Sequence, residues 1–213
     1  MRNPAAPPPH PPASGTRADG APAEAPSALT PEAAGSIELL LDRIDRPVVL
    51  VGMMGAGKST IGRKLAAALA LPFADADDEI VKAASMSIPD IFEAFGEAYF
   101  RDGERRVIAR MLEGGARVIA TGGGAFAQGE TRALILERGI AIWLDSDLET
   151  LLERVTRKDT RPLLRTGNPR EVLERLLAER GPAYAQAPIR VVSDAGPVTQ
   201  TVTRIIEALN QWL

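Results

Sequence analysis

Gly52-Met53-Met54-Gly55-Ala56-Gly57-Lys58-Ser59-Thr60 is the stretch that decides the fold. These residues fit G-x-x-x-x-G-K-[ST], the pattern of a phosphate-binding loop. The apolar run Val48-Val49-Leu50-Val51 precedes it and reads as a buried strand. Ile61, Leu65, Ala68 and Leu69 follow, spaced like one face of a helix. Glycines let such a backbone curl so that its N–H groups point inward, at the start of a helix, toward a polyphosphate. Lys58 supplies a point charge for the β- and γ-phosphates, and Ser59 offers a hydroxyl to Mg²⁺. An ordinary glycine-rich turn is the competing reading, and it needs neither the lysine nor the flanking strand and helix. The stretch implies a nucleoside triphosphate; what happens to it must come from elsewhere in the chain.

Working outward, the chain divides by composition. Residues 1–34 hold nine of the 17 prolines and the only histidine, His10. The rest of that segment is mostly Ala, Gly and Ser, too poor in large apolar side chains to offset its chain entropy, so a disordered tail is expected there. Residues 35–213 suffice for one domain with one core. No run of 18 apolar residues is present, so no membrane span is expected. The N-terminus lacks the apolar region of a secretory signal. The absence of cysteine excludes disulfides and thiolate metal sites and fits a reducing, cytoplasmic setting. A net charge of −3 gives no general attraction to nucleic acid.

Beyond the loop, strands and helices alternate. Strands are expected at 71–75, 117–121, 140–144 and 189–193, and helices at about 77–84, 88–95, 97–113, 129–138, 148–157, 169–186 and 198–213. This alternation predicts a parallel sheet with helices on both faces, a three-layer α/β sandwich, with ligands at the carboxyl ends of the strands.

Four groups near strand ends are candidates for chemistry. Asp75 and Asp77 lie one residue apart on what reads as an extended segment, which would aim them to opposite sides. One would then face a metal and the other an acceptor, with Asp77 the candidate base; the pair reads equally well as caps for the next helix. Gly122-Gly123-Gly124 follows a strand, which suits close approach of a substrate or a γ-phosphate as well as it suits a plain turn. Arg101 and Glu104 are spaced i, i+3, either a guanidinium held ready for a ligand carboxylate or an exposed surface pair. Residues 154–168 carry five cationic side chains and are broken by Pro162 and Gly167, as a mobile lid or a solvated loop would be. Asp145 ends another apolar strand and competes with Asp75 for the metal-side role.

Together these residues resemble the shikimate kinases. The resemblance runs from about Arg46 to the C-terminus. It rests on GMMGAGKSTIGRKLA (52–66), FADADDEI (73–80), SIPDIFEAFGEAYFRDGE (87–104), ATGGGA (120–125), RPLL (161–164) and RGPAY (180–184). The resemblance implies a P-loop NTPase fold with strand order 2-3-1-4-5 and a lid over about 154–168. It implies transfer of the γ-phosphoryl of ATP, with Mg²⁺, to the 3-hydroxyl of shikimate on the way to chorismate and the aromatic amino acids. It also implies a monomer whose partners are these small molecules.

Roles follow from the matched positions. Gly55, Ala56, Gly57, Lys58, Ser59 and Thr60 form the phosphate cradle, with Ser59 a direct Mg²⁺ ligand and Asp75 holding the ion through water. Asp145 becomes structural. Asp77 meets the shikimate hydroxyls, Arg101 and Arg180 clamp its carboxylate, and Gly123 and Gly124 add backbone contacts. Arg161 is the lid arginine on the transferring phosphoryl, and Arg154 stacks on adenine. Ile88, Phe92 and Phe100 form the wall beside the ring. A gluconate or nucleoside-monophosphate kinase of the same fold is the nearest rival. A GTPase-like switch would need Asn-Lys-x-Asp, which the chain lacks.

Overall fold

A computed structural model describes residues 39–156 and 168–213. The expected tail over 1–34, Arg161 and nearly all of the expected lid lie outside the described residues.

Five parallel strands form the sheet: β1 (Val48–Val51), β2 (Phe73–Asp75), β3 (Val118–Ala120), β4 (Ile140–Asp145) and β5 (Ile189–Val192). Their order is β2-β3-β1-β4-β5, as the resemblance implied. Burial explains who sits where. Every residue of β1 and β3 is buried, as a strand covered on both faces requires. β5 alternates, with Ile189 and Val191 inward and Arg190 and Val192 outward, which suits an edge. β2, half-buried throughout, is the other edge. Val49 pairs with Ile119 on one side and Ala141 on the other, so β1 is central and its loop opens mid-sheet.

Helices cover the faces, among them α1 (Lys58–Ala68), α2 (Ala76–Ala84), α3 (Ile88–Leu112), α4 (Gly129–Arg138), α5 (Leu148–Thr156), α6 (Pro169–Tyr184) and α7 (Val198–Trp212). α1 buries Ile61, Leu65 and Ala66 and packs on β3 and α7. It lies close because position 62 is glycine: a Cβ there would stand 2.6 Å from the Phe73 ring. α3 starts at Ser87, whose hydroxyl caps the Asp90 N–H at 3.3 Å. The two helices expected at 88–95 and 97–113 are one element, interrupted at Gly96 (φ 77, ψ 177). Only glycine takes such a backbone conformation readily, so the break falls where the sequence put it. Fully buried Leu50, Leu65, Ile119, Phe126, Ile135 and Ile142 mark the core on both sheet faces. Each such aliphatic side chain contributes roughly 1.5–3 kcal/mol through removal from water. No described helix is long and apolar enough to cross a membrane.

Candidate active site

The loop after β1 is held from beneath by its own lysine. Lys58 is 8% exposed, and its ammonium donates to the carbonyls of Gly52 and Met53, both at 2.8 Å. These bonds tie the floor of the loop and keep the charge under it. Gly57, at φ 89, is the N-cap of α1 and brings no side chain to the helix N-terminus, so the first-turn N–H groups of α1 face the loop. Ser59 and Thr60 sit in that turn. Two neighbours confine the loop. A Cβ at Gly52 would stand 2.6 Å from Leu144 O at the end of β4, and one at Gly55 would stand 2.9 Å from Val155 of α5.

Asp75 and Asp77 do not share an extended segment. α2 begins at Ala76, so Asp75 is its N-cap (φ −106, ψ 124), and Asp75 Oδ1 accepts the Asp77 N–H at 3.1 Å. The opposite-sides argument therefore gives way to helix geometry. The capping reading holds for Asp75 alone, where it occupies one oxygen, while Asp77 lies within the first turn. Asp145 is tied elsewhere: its Oδ2 accepts from Arg190 Nη2 at 2.6 Å and Nε at 3.0 Å, a brace between β4 and β5.

Gly122–Gly124 are small because three side chains from other elements fill the space beside them. A Cβ at Gly122 would stand 2.8 Å from Glu104 Oε1 and 3.0 Å from Asp77 Oδ1. At Gly124 it would stand 2.7 Å and 2.9 Å from the two terminal nitrogens of Arg101. At Gly123 it would stand 3.0 Å from Met54 N, in the phosphate loop itself. The carbonyl of Gly123 accepts from Arg180 Nη1 at 3.2 Å and from the Tyr184 hydroxyl. Arg180 and Tyr184 are i, i+4 on α6, one face of one helix. Tyr184 carried no assigned role in the sequence, although that spacing is its signal. Phe92 and Phe100 meet at 4.5 Å between ring centroids, and the Arg101 guanidinium lies 5.1 Å from the Phe100 ring centre.

Arg101 and Glu104 are not an exposed pair. Glu104 is 1% exposed, and its Oε2 accepts from Arg101 Nη1 at 2.7 Å. Glu97 Oε1 accepts from the same guanidinium at 3.1 Å and 3.2 Å. Glu104 Oε1 is buried with no hydrogen-bond partner among the described residues. Burial pushes the Glu104 carboxyl above its ordinary range; Arg101, by charge and hydrogen bond, pulls it down without prevailing, the Asp77 charge pushes it up further, and Arg180 opposes weakly.

Above the unfolded value near 4.5 and below the raised folded value, folded Glu104 keeps a proton that the unfolded chain releases. Stability therefore falls as pH rises through that window. Glu104→Gln removes this titration, so its Tm is expected to fall less than that of the wild type as pH rises from about 4.5. Parallel Tm curves would return Glu104 to the ordinary carboxylate range.

Arg154, at the end of α5, is held by its edges. Nη1 donates to Gly55 O at 3.4 Å and Ser193 Oγ at 3.3 Å, and Nη2 donates to Asp194 O. Edge contacts of this kind leave the planar face of a guanidinium available for stacking.

The donor set fits a divalent cation of the magnesium type. Among the described residues no three acidic or histidine side chains cluster as a self-sufficient metal cage. Mg²⁺ characteristically takes one or two protein oxygens and completes its shell with water and phosphate. Ser59, in the first turn of α1, and Asp75, at the end of β2 with one oxygen committed to its helix cap, offer oxygens of that kind.

The model of the family described as shikimate kinase matches residues 54–210. A shikimate kinase of Novosphingobium aromaticivorans is 63% identical over 175 residues, 80% of this chain and 91% of that protein. The solved shikimate kinase of Acinetobacter baumannii in complex with shikimate superposes with a TM-score of 0.73 at 39% identity, covering 76% of this chain and 91% of that one. A Sinorhizobium meliloti gluconokinase, at 19% identity, TM-score 0.51 and coverage of 78% and 91%, is alike in fold alone. By sequence and by structure, the chain belongs to the shikimate kinase family.

Proposed function

We propose that this chain transfers the γ-phosphoryl of ATP to the 3-hydroxyl of shikimate, giving shikimate 3-phosphate and ADP. The observation that carries the reading is the convergence of Asp77, Glu104 and Arg101 on Gly122–Gly124, with Gly123 pressed against Met54 of the phosphate loop. An anion clamp and a hydroxyl acceptor thus adjoin a polyphosphate cradle. Shikimate is a small carboxylate with three hydroxyls and needs both.

Arg101, pre-set by Glu104 and Glu97, and Arg180, set by Gly123 O, fork onto the acceptor carboxylate. Backbone contacts at Gly123 and Gly124 support it, and Ile88, Phe92 and Phe100 line the ring. Asp77 accepts a hydrogen bond from the reacting hydroxyl, whose oxygen bonds to phosphorus as the bond to the ADP oxygen breaks. The hydroxyl proton leaves toward Asp77. The transition state is loose, so orienting the hydroxyl contributes more than deprotonating it. Gly55, Ala56, Gly57, Lys58, Ser59 and Thr60 hold the phosphates. Ser59, directly, and Asp75, through water, would hold Mg²⁺, which neutralises charge on the β- and γ-oxygens. Arg154 faces the adenine. The lid, about 154–168, brings Arg161 to the phosphoryl group. This lid role, the tail–domain division at about residue 34, the monomeric state and the cytoplasmic setting rest on resemblance and composition.

The test is ADP release with Mg-ATP and shikimate, gluconate or nucleoside monophosphates in separate reactions. Turnover with shikimate alone is expected. Turnover with another acceptor would keep the ATP site and refute the roles of Asp77, Arg101 and Arg180.

A further inference from the structure

Ser193, directly after β5, is fully buried, and each of its polar groups has a partner. Its N–H donates to Asp145 O at 2.7 Å, and its carbonyl accepts from Ser146 Oγ at 2.8 Å. Its hydroxyl donates to Ala56 O at 3.1 Å and accepts from Arg154 Nη1 at 3.3 Å. One hydroxyl therefore touches the phosphate loop and the arginine at the end of α5, across 137 residues of sequence in the first case.

The bond to Ala56 O has a directional consequence. The Ala56–Gly57 peptide is planar and trans, so its C=O and N–H point to opposite sides. Holding the carbonyl toward Ser193 turns the Gly57 N–H away from β5, into the concave side of the loop. Arg154, steadied by the same hydroxyl, holds the neighbouring Gly55 carbonyl from that same side. We infer that Ser193 is a positioning residue for ATP: it aims the Gly57 N–H and fixes Arg154, without touching substrate. This role rests on the kinase reading above, yet it concerns the nucleotide half of the site alone.

The experiment separates the two. ATP affinity of the full-length chain is measured by titration calorimetry with Mg-ATP and no acceptor, so it does not depend on which acceptor is used. Ser193→Ala is expected to weaken ATP about tenfold, equivalent to ~1.4 kcal/mol. In turnover its KM for ATP should rise by the same factor, with KM for shikimate within about twofold, well inside one such step. Ser146→Ala serves as the comparison: it loses a buried bond to the same residue but touches neither Ala56 nor Arg154. It should lower Tm and leave ATP affinity within about twofold. Ser193→Cys, close in size and a poor donor, should show the same ATP-selective loss and serves if the alanine variant does not fold. Unchanged ATP affinity in a folded Ser193 variant would overturn the proposal, as would equal losses in the Ser146 and Ser193 variants. Failure of the wild type to phosphorylate shikimate, with ATP still bound in a Ser193-dependent way, would overturn the acceptor assignment and leave this inference standing.

Discussion

Asp77→Asn is expected to lower kcat by about 10²–10⁴-fold, the range for loss of a positioned proton acceptor, while ATP still binds. The only histidine is His10, in the tail, so the site must find its acceptor among carboxylates, lysines and tyrosines. Tyr184 is buried, which raises its hydroxyl above the ordinary range and keeps it protonated, and it donates to Gly123 O. Lys58 is committed beneath the loop. Among the carboxylates, Glu104 is bonded to Arg101 and Asp75 caps α2, which favours Asp77, in the first turn of α2 with its N–H fixed by Asp75 and its Oδ1 beside Gly122. Asparagine keeps the shape and one acceptor oxygen but loses the charge. Near-normal turnover by the variant, with shikimate saturating, would refute the assignment.

Gly122→Ala is expected to lower kcat/KM for shikimate by about 100-fold, the cost of displacing a reacting group by roughly 1 Å. The new methyl would stand 2.8 Å from Glu104 Oε1 and 3.0 Å from Asp77 Oδ1. Glu104 cannot withdraw, because it is buried and bonded to Arg101. The Gly122 backbone must therefore shift away from Glu104 while Asp77 gives way, and both movements change where the proposed acceptor carboxylate stands. A folding penalty of about 1–3 kcal/mol should accompany the loss. Gly103→Ala is the control: a Cβ there meets nothing within 4 Å, and the variant should keep full activity. Unimpaired kcat/KM in Gly122→Ala would show that the two carboxylates have room the structure does not display.

What the sequence revealed and what it hid divides along local and distant contacts. The phosphate loop was legible because one strand, one turn and one helix carry the whole signal within a few residues. The Gly96 interruption was legible for the same reason. Asp75 and Asp77 were given the wrong backbone, because an N-cap and a strand end look alike when the helix start is uncertain by one residue. The spacing of Arg101 and Glu104 was plain, but burial separates an exposed pair from a buried one, and the neighbours here are the glycines after β3 and Asp77 of α2. Alone, the sequence could not choose between Asp75 and Asp145. Strand order puts Asp145, at the end of β4, next to β1, and Asp75, at the end of β2, one strand further off; what sets Asp145 apart is that Arg190 engages it. Ser193 was invisible: a lone serine after a strand carries no periodicity, and its partners lie in segments far away in sequence.

Gly123 runs so near Met54 that a Cβ on it would stand 3.0 Å from Met54 N. The acceptor half and the donor half of the site abut there through main chain, with no side chain interposed. Exposed side chains change rotamer in picoseconds to nanoseconds, whereas packed backbone holds its spacing. The spacing between the two halves is therefore set by a rigid main-chain spacer and not by the rotamers of exposed side chains around it.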